Sequence, residues 1–408
     1  MSTSDSSDRL ASFRFEYHPG TIRFGADCVG DLETELERLG LERALVVCGS
    51  TVGSTPEVID RVTDGLGDRL AGVFDETTPD KRLGTAFDGL DRLEEEAADV
   101  VVSLGGGSSL DVAKVVSVLA ASDRSRMQVA EEFAETGTIT VPDEGLMPIV
   151  AIPTTLAGAD LSMGAGITAA PDSGLVDDEL GGGVSDPGLM PAAAFYDPEL
   201  VATTPESVLA GSAMNGFDKG IETIYAANAT PVTDATARHG LEKLEDGFRA
   251  FGRGDRDREV FETLLEGVVL VQYGISRPDE STLSIVHAFG HGLRDAYDLQ
   301  QGVAHAVVVP HVLRYLFEQE DVDARAGVLA NALGVSEAAD HGAAVVDRVA
   351  ELRDDLGLPF RLRDLEPVED DEFADVAEAI LADGFMANAP PGLDPTVEEI
   401  EGVLEEAW

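Results

Sequence analysis

Val100-Val101-Val102-Ser103-Leu104 is an apolar, largely β-branched run that leads straight into Gly105-Gly106-Gly107. Ser108 then opens a helix-compatible segment that runs to about Leu119. A buried strand, a glycine turn and a helix start, in that order, commit this part of the chain to a parallel sheet covered by helices. The helix start offers unpaired N–H groups and the positive end of its dipole, and glycines let an anion approach the backbone closely. Gly105, Gly106, Gly107 and Ser108 are therefore expected to cradle a phosphate, which points to a nucleotide. A glycine turn without a ligand is the plainer alternative.

The same alternation extends through the first half. Strands are expected at Phe13–Tyr17, Thr21–Phe24, Ala44–Cys48, Leu70–Phe74, Val100–Leu104 and Ile149–Ile152, with helices at Asp31–Leu39, Thr55–Leu66 and Arg82–Ala97. The Gly/Asp/Pro-rich stretch from Ala169 to Pro191 reads as a long loop or hairpin, and Ala193–Tyr196 closes the unit. From about Pro205 onward only helical periodicity is visible, from Glu206–Ala227 to Thr396–Ala407. The expected architecture is an α/β N-terminal domain (residues 1–203, parallel sheet, dinucleotide-binding) and an all-α C-terminal domain (204–408) with a cleft between them.

Bulk properties narrow the class. The formal net charge is −50, from 78 acidic and 28 basic residues spread along the chain. Such a surface excludes nucleic acid as a partner. It fits a cytoplasm of very high salt, where screening removes self-repulsion, and reads as haloarchaeal in type. No run approaches the roughly 18 apolar residues of a membrane span. Met1–Arg9 lacks a signal-peptide pattern and is expected to fray, so a cytoplasmic location is expected. Cys28 and Cys48 are expected to be reduced thiols.

Four groups of residues carry candidate chemistry. The Ala44–Cys48 strand ends in Gly49 and Ser50 where a ribose-binding carboxylate would stand, which leaves room for a 2′-phosphate and points to NADP ahead of NAD. Thr154 and Thr155 follow the Ile149 strand and can donate hydrogen bonds to a ligand at the sheet edge, though a polar turn explains them equally well. His287, His291, His305 and His311 fall within one short region; the first two share a helix face, a spacing that suits metal binding or proton transfer. Asn215 and Lys219 are also four apart. Lysine is scarce here, limited to Lys81, Lys114, Lys219 and Lys243, and a partly buried Lys219 needs a partner, for which Asp218 and Glu222 are close in sequence. A surface ion pair along the helix is the plainer reading.

Several segments together carry a resemblance. They are Gly105 through Lys114, Pro153-Thr154-Thr155, Tyr196-Asp197-Pro198, the Met214–Tyr225 helix, His287-Ala288-Phe289-Gly290-His291, and Ala306-Val307-Val308-Val309-Pro310-His311. Over nearly its whole length the chain resembles the iron-containing (group III) alcohol dehydrogenase superfamily. The resemblance implies a dinucleotide in the cleft, with Asp111 and Lys114 among its binding residues, and a homodimer. Metal-dependent members hold a divalent ion with one Asp and three His; the matching positions here are Asn215, Lys219, His287 and Gln301. An ammonium would point to where the cation sits, and a positive charge opposes a divalent ion strongly at low dielectric. A metal-free site is therefore expected.

Ala71-Gly72-Val73-Phe74, Leu156-Ala157-Gly158, Met214-Asn215 and His305-Ala306-Val307-Val308 are similar to the metal-free maleylacetate reductase branch, which nevertheless keeps histidines where Lys219 and Gln301 stand. The implied activity is NAD(P)-dependent hydride transfer between nicotinamide and a small carbonyl or alcohol, with a carboxylate-bearing substrate as one version. Lys219 would replace the metal, Asn215 and Gln301 would donate hydrogen bonds, and His291 or His287 would deliver the proton, with His305 nearby. The alternatives are a metal-dependent alcohol dehydrogenase with an altered ligand set, a lyase like the dehydroquinate synthases, and a non-catalytic dinucleotide-binding protein.

Overall fold

Consecutive residues of a strand point to opposite sides of a sheet, so uninterrupted apolar runs need an apolar layer on both faces. The computed structural model, which describes residues 12–278 and 280–408, supplies both layers. Its strands are β1 (Thr21–Phe24), β2 (Ala44–Gly49), β3 (Leu70–Thr77), β4 (Val100–Gly105), β5 (Ile149–Pro153), β6 (Gly164–Ala169), β7 (Leu180–Ser185) and β8 (Ala193–Tyr196). All but β6 and β7 form one parallel sheet in the order β1-β8-β5-β4-β2-β3. Val46, Val100, Val102, Val150 and Phe195 face one apolar layer, completed by Leu32, Leu36, Val58 and Val62. Leu45, Val47, Val101, Ile149 and Ala151 face the other, completed by the Gly107–Ala120 helix.

The strand order reverses between β2 and β4, the kind of switch point at which open parallel sheets bind ligands beyond the C-terminal ends of their strands. The glycine turn after β4 sits at that point. β6 and β7 pair antiparallel and resolve the Gly-rich stretch as a hairpin. Phe13–Tyr17, expected as a strand, is irregular instead. Its alternating aromatics dock on the helical half: the Tyr17 ring lies 4.8 Å from Tyr273, and the Arg277 guanidinium lies 5.1 Å from the Phe15 ring centre. Ring burial there replaces a ladder partner. The Met1–Arg9 expectation falls outside the described residues.

From Glu206 onward the described residues form helices and no strand. The Glu206–Tyr225 helix is buried along almost its whole length, and the Ile285–Tyr297 and Gln301–Glu318 helices pack on it. The two halves share one apolar cluster, which passes from the sheet through Leu156 and Leu161 to Leu209, Ala213 and Phe217. Neither cysteine is bonded, as expected. No helix among the described residues is long and apolar enough to cross a membrane.

Candidate active site

The glycine turn has the form expected of an anion cradle. Gly105 adopts φ +139, a region L side chains avoid, so the chain can turn sharply there from β4 into the helix. Gly106 stands at the N-cap of the Gly107–Ala120 helix with no side chain capping it, so the first N–H groups stay open. Thr154 N–H donates to Gly105 O at 3.0 Å, and Thr155 packs against Gly106, so the two turns form one surface. Gly49 ends β2 beside Thr77 of β3, whose hydroxyl meets the Ser109 hydroxyl at 3.0 Å. Gly49, Ser50, Ser108, Thr154 and Thr155 thus share the same edge of the sheet.

Two residues of the helix after the turn are already engaged. Asp111 Oδ2 accepts from Lys81 Nζ at 2.5 Å. Lys114 is fully buried and donates to Ser162 O (2.8 Å), Ser162 Oγ (2.9 Å) and Gly164 O (2.8 Å). Those three bonds use every ammonium proton and pin β6 to the helix. Burial draws the Lys114 pKa down to about 8.

Lys219 reaches from the helical half to the segment that follows β5. Its Nζ donates to Ala157 O at 2.9 Å and Gly158 O at 2.8 Å, and the residue is 8% exposed. Two N–H bonds are spent and one remains. Burial lowers its pKa, opposed by the carboxylates of Asp218, Asp160, Asp111 and Glu222. Asp160, which the sequence reading passed over, is buried beside it; burial raises that carboxyl to about 6, against Lys219 and a hydrogen bond from Gln272. Lys81, Lys114 and Lys219 therefore share one charged neighbourhood with Asp111 and Asp160.

The structure brings three of the four clustered histidines together. His287 and His305 meet edge to face with ring centres 4.7 Å apart, and Phe385 lies 5.3 Å from His291 and 6.0 Å from His287. His311 does not join them: it is six residues from His305, on another face of its helix, and Arg314 and Arg353 are its charged neighbours. Burial holds His311 down at about 4.

The three imidazoles have different settings. His287 is buried, and Glu222 takes its Nδ1 at 2.5 Å and its backbone N–H at 3.0 Å. Burial holds His287 well below its ordinary pKa and lifts Glu222 to about 7. His305 is fully buried against the Asp218 carboxylate. His291 keeps 28% of its side chain exposed, and its Nδ1 meets Asp383 Oδ2 at 2.8 Å, which leaves Nε2 free. Burial works to raise the Asp383 carboxyl, but hydrogen bonds from His291 and from the Phe385 N–H outweigh it and hold the pKa below the ordinary value. Asp218 and Glu222, expected as partners of Lys219, meet imidazoles instead while Lys219 takes two carbonyls, and Asp383 was missed because it lies far from His291 in sequence.

The four positions that the resemblance assigns to a divalent ion do not fit one. Asn215 Oδ1 is buried with no hydrogen-bond partner among the described residues. Lys219 holds an ammonium on two carbonyls. Gln301 opens its helix beside Asn215: a Cβ on the neighbouring Gly302 would lie 3.3 Å from Asn215 Cβ. Only His287 remains as a strong ligand there.

The family model for iron-containing alcohol dehydrogenases matches residues 19–198, and the model for the family's C-terminal region matches 209–408. The chain is 28% identical to lactaldehyde reductase of Escherichia coli K12 over 406 residues, covering 95% of this chain and 98% of the relative. It is 28% identical to maleylacetate reductase of Pseudomonas aeruginosa over 367 residues, covering 88% and 89%. The crystal structure of sulfoacetaldehyde reductase from Bifidobacterium kashiwanohense in complex with NAD+ superposes with a TM-score of 0.82 at 21% identity, covering 97% and 99%.

Proposed function

Since this chain belongs to the iron-containing alcohol dehydrogenase family and is an oxidoreductase acting on alcohol and carbonyl groups, we propose that it moves a hydride between nicotinamide and a small carbonyl compound, with Lys219 standing where the family places its metal. The observation that carries this reading is the Lys219 ammonium, buried where the helical half meets the segment after β5, with one N–H uncommitted. The dinucleotide lies with its phosphates on the Gly105–Ser108 turn and is NAD or NADP. The relative crystallised with NAD+ supports the first, and Gly49-Ser50 at the end of β2 supports room for the second.

In the reducing direction the hydride leaves the dihydronicotinamide for the carbonyl carbon, and negative charge gathers on the oxygen. Lys219 faces that charge with its remaining N–H, and Asn215 and Gln301 add donors from the same wall. His291 gives the alkoxide its proton from Nε2, because it is the imidazole with an open face and can be reprotonated from solvent. His287, buried and tied to Glu222, holds the shape of the wall instead. No metal at the family's position is required. A homodimer in a saline cytoplasm completes the proposal, supported by family resemblance and by the acidic composition.

The test is Lys219→Met. Turnover should fall by roughly 10²–10³ while the dissociation constant of the reduced cofactor stays within about twofold. Near-normal turnover overturns the assignment. A second version, in which Lys219 grips a substrate carboxylate, is favoured by the maleylacetate reductase likeness. It predicts that the same variant still reduces a simple aldehyde and loses only carboxylated substrates.

A further inference from the structure

The face where the Glu206–Tyr225, Ile285–Tyr297 and Gln301–Glu318 helices meet holds more buried charge than the hydride transfer uses. Asp218 and Glu222 stand four residues apart on one helix face, both fully buried. Lys219, the ammonium next to them, is turned toward Ala157 and Gly158 and hydrogen-bonds to neither carboxylate. Asp218 Oδ2 and His305 Nδ1 meet in a close mutual contact, while Asp218 Oδ1 and His305 Nε2 make no hydrogen bond among the described residues. Unpaired buried atoms of this kind are costly and need an explanation.

These groups meet a third. Asp218 Oδ2 touches His305 Nδ1, and the His287 ring lies beside them, its Nδ1 3.9 Å from the same oxygen but already held by Glu222, so Nε2 is the His287 nitrogen left for an ion. One ligand atom from each of the three residues falls within 4.8 Å of the others. Gly290 makes this possible: a Cβ there would collide with His305 Nε2, so the bare backbone seats that edge of the ring and leaves Nδ1 facing Asp218. Glu222 fixes the second imidazole through its Nδ1 and backbone N–H, the outer carboxylate that metal-binding histidines commonly have.

We propose that Asp218, His287 and His305 form a buried site for a divalent cation, displaced from the position at which the family holds its metal. Two imidazoles and one carboxylate suit Zn²⁺, Co²⁺ or Fe²⁺ and are a poor set for Mg²⁺ or Ca²⁺, which take oxygen ligands. Only His287 belongs to both sets of positions; Asp218 and His305 take over from Asn215 and Gln301. The cation adds to the Lys219 and Lys114 ammoniums in offsetting the carboxylates of Asp218, Glu222 and Asp160. Asp218 and His305 are both 0% exposed, so the site has no coordination position open to the crevice. It ties three helices together and carries no step of the hydride transfer. The proposal therefore goes beyond the function proposed above and stands or falls apart from it.

The test starts from protein purified in molar KCl, stripped with dipicolinate, reloaded with Zn²⁺ or Co²⁺ and desalted. About one ion per chain should be retained, with a higher thermal midpoint than the stripped protein. Asp218→Asn and His305→Gln should each weaken Zn²⁺ retention at least about tenfold, and Asn215→Ala should leave it unchanged. X-ray absorption on the unmutated, Zn²⁺-loaded protein should count two imidazoles, a measurement independent of how well the variants fold. The family's position would supply only one. No retained ion, a single imidazole, or retention lost in Asn215→Ala but kept in His305→Gln overturns the proposal. The Lys219→Met kinetics are read on reduction of carbonyls and are untouched by any of these outcomes.

Discussion

Among single residues, Asp160 has the clearest pH signature. Burial raises its carboxyl from the ordinary 3.8 to about 6, against Lys219, a hydrogen bond from Gln272 and Lys114. The folded chain therefore holds that proton more tightly than the unfolded chain. Its stabilising contribution is full below about pH 4 and is lost as the pH rises to about 6. A difference of this size corresponds to roughly 3 kcal/mol. Asp160→Asn should remove most of that slope in unfolding free energy, measured by denaturant titration in molar KCl across the same range. A slope equal to that of the parent protein would show that Asp160 is not the titrating group. His291 illustrates how one partner sets a residue's role: Asp383 takes Nδ1, and Nε2 is left free on a side chain that is 28% exposed.

At the scale of elements, the sheet contributes strand ends to the site and the helical half contributes residues from within its helices. β2, β3, β4 and β5 deliver Gly49, Thr77, Gly105 and Pro153 to one edge because parallel register brings Gly49 level with Thr77 and Gly105 level with Pro153. The turn after β4 depends on its first glycine. Gly105→Ala places a Cβ at φ +139, where it also meets Ser109 Oγ at 2.9 Å. A strain of about 1–3 kcal/mol follows, and the N–H groups of the cradle turn away from the ligand. Fluorescence titration should show NADH or NADPH bound at least tenfold more weakly, with the circular dichroism unchanged. Unaltered cofactor affinity would remove the turn from the binding site. The Gly290 position is the helical counterpart, since its missing side chain is the space that His305 occupies.

For the whole molecule, charge is the strongest influence outside the core. With 78 acidic and 28 basic residues, self-repulsion acts against the compact state and is screened as the Debye length shrinks from about 10 Å at 0.1 M salt to about 3 Å at 1 M. The thermal midpoint should rise steadily from 0.1 M to 3 M KCl, and equal ionic strength of NaCl should reproduce most of the rise. A midpoint indifferent to salt would disconnect the acidic surface from a saline habitat. The apolar cluster shared by both halves gives a second expectation at this scale: unfolding should be one transition, because Leu156, Leu161 and Phe217 join the sheet to the helices.

Local order was legible in the chain because it depends on near neighbours. The strand–glycine–helix unit, the parallel sheet and the switch from alternating to purely helical periodicity all follow from residue spacing, and Asn215 and Lys219 share a helix face for the same reason. Phe13–Tyr17 shows the limit, since alternation alone does not say whether aromatic rings find a ladder or a helical surface. Partnerships across long stretches of chain were decided by tertiary packing: Lys219 on the Ala157 and Gly158 carbonyls, Asp218 on His305, Glu222 on His287, Asp383 on His291. A buried charge takes whichever opposite group the fold carries to it, and distance along the chain contains no record of that meeting.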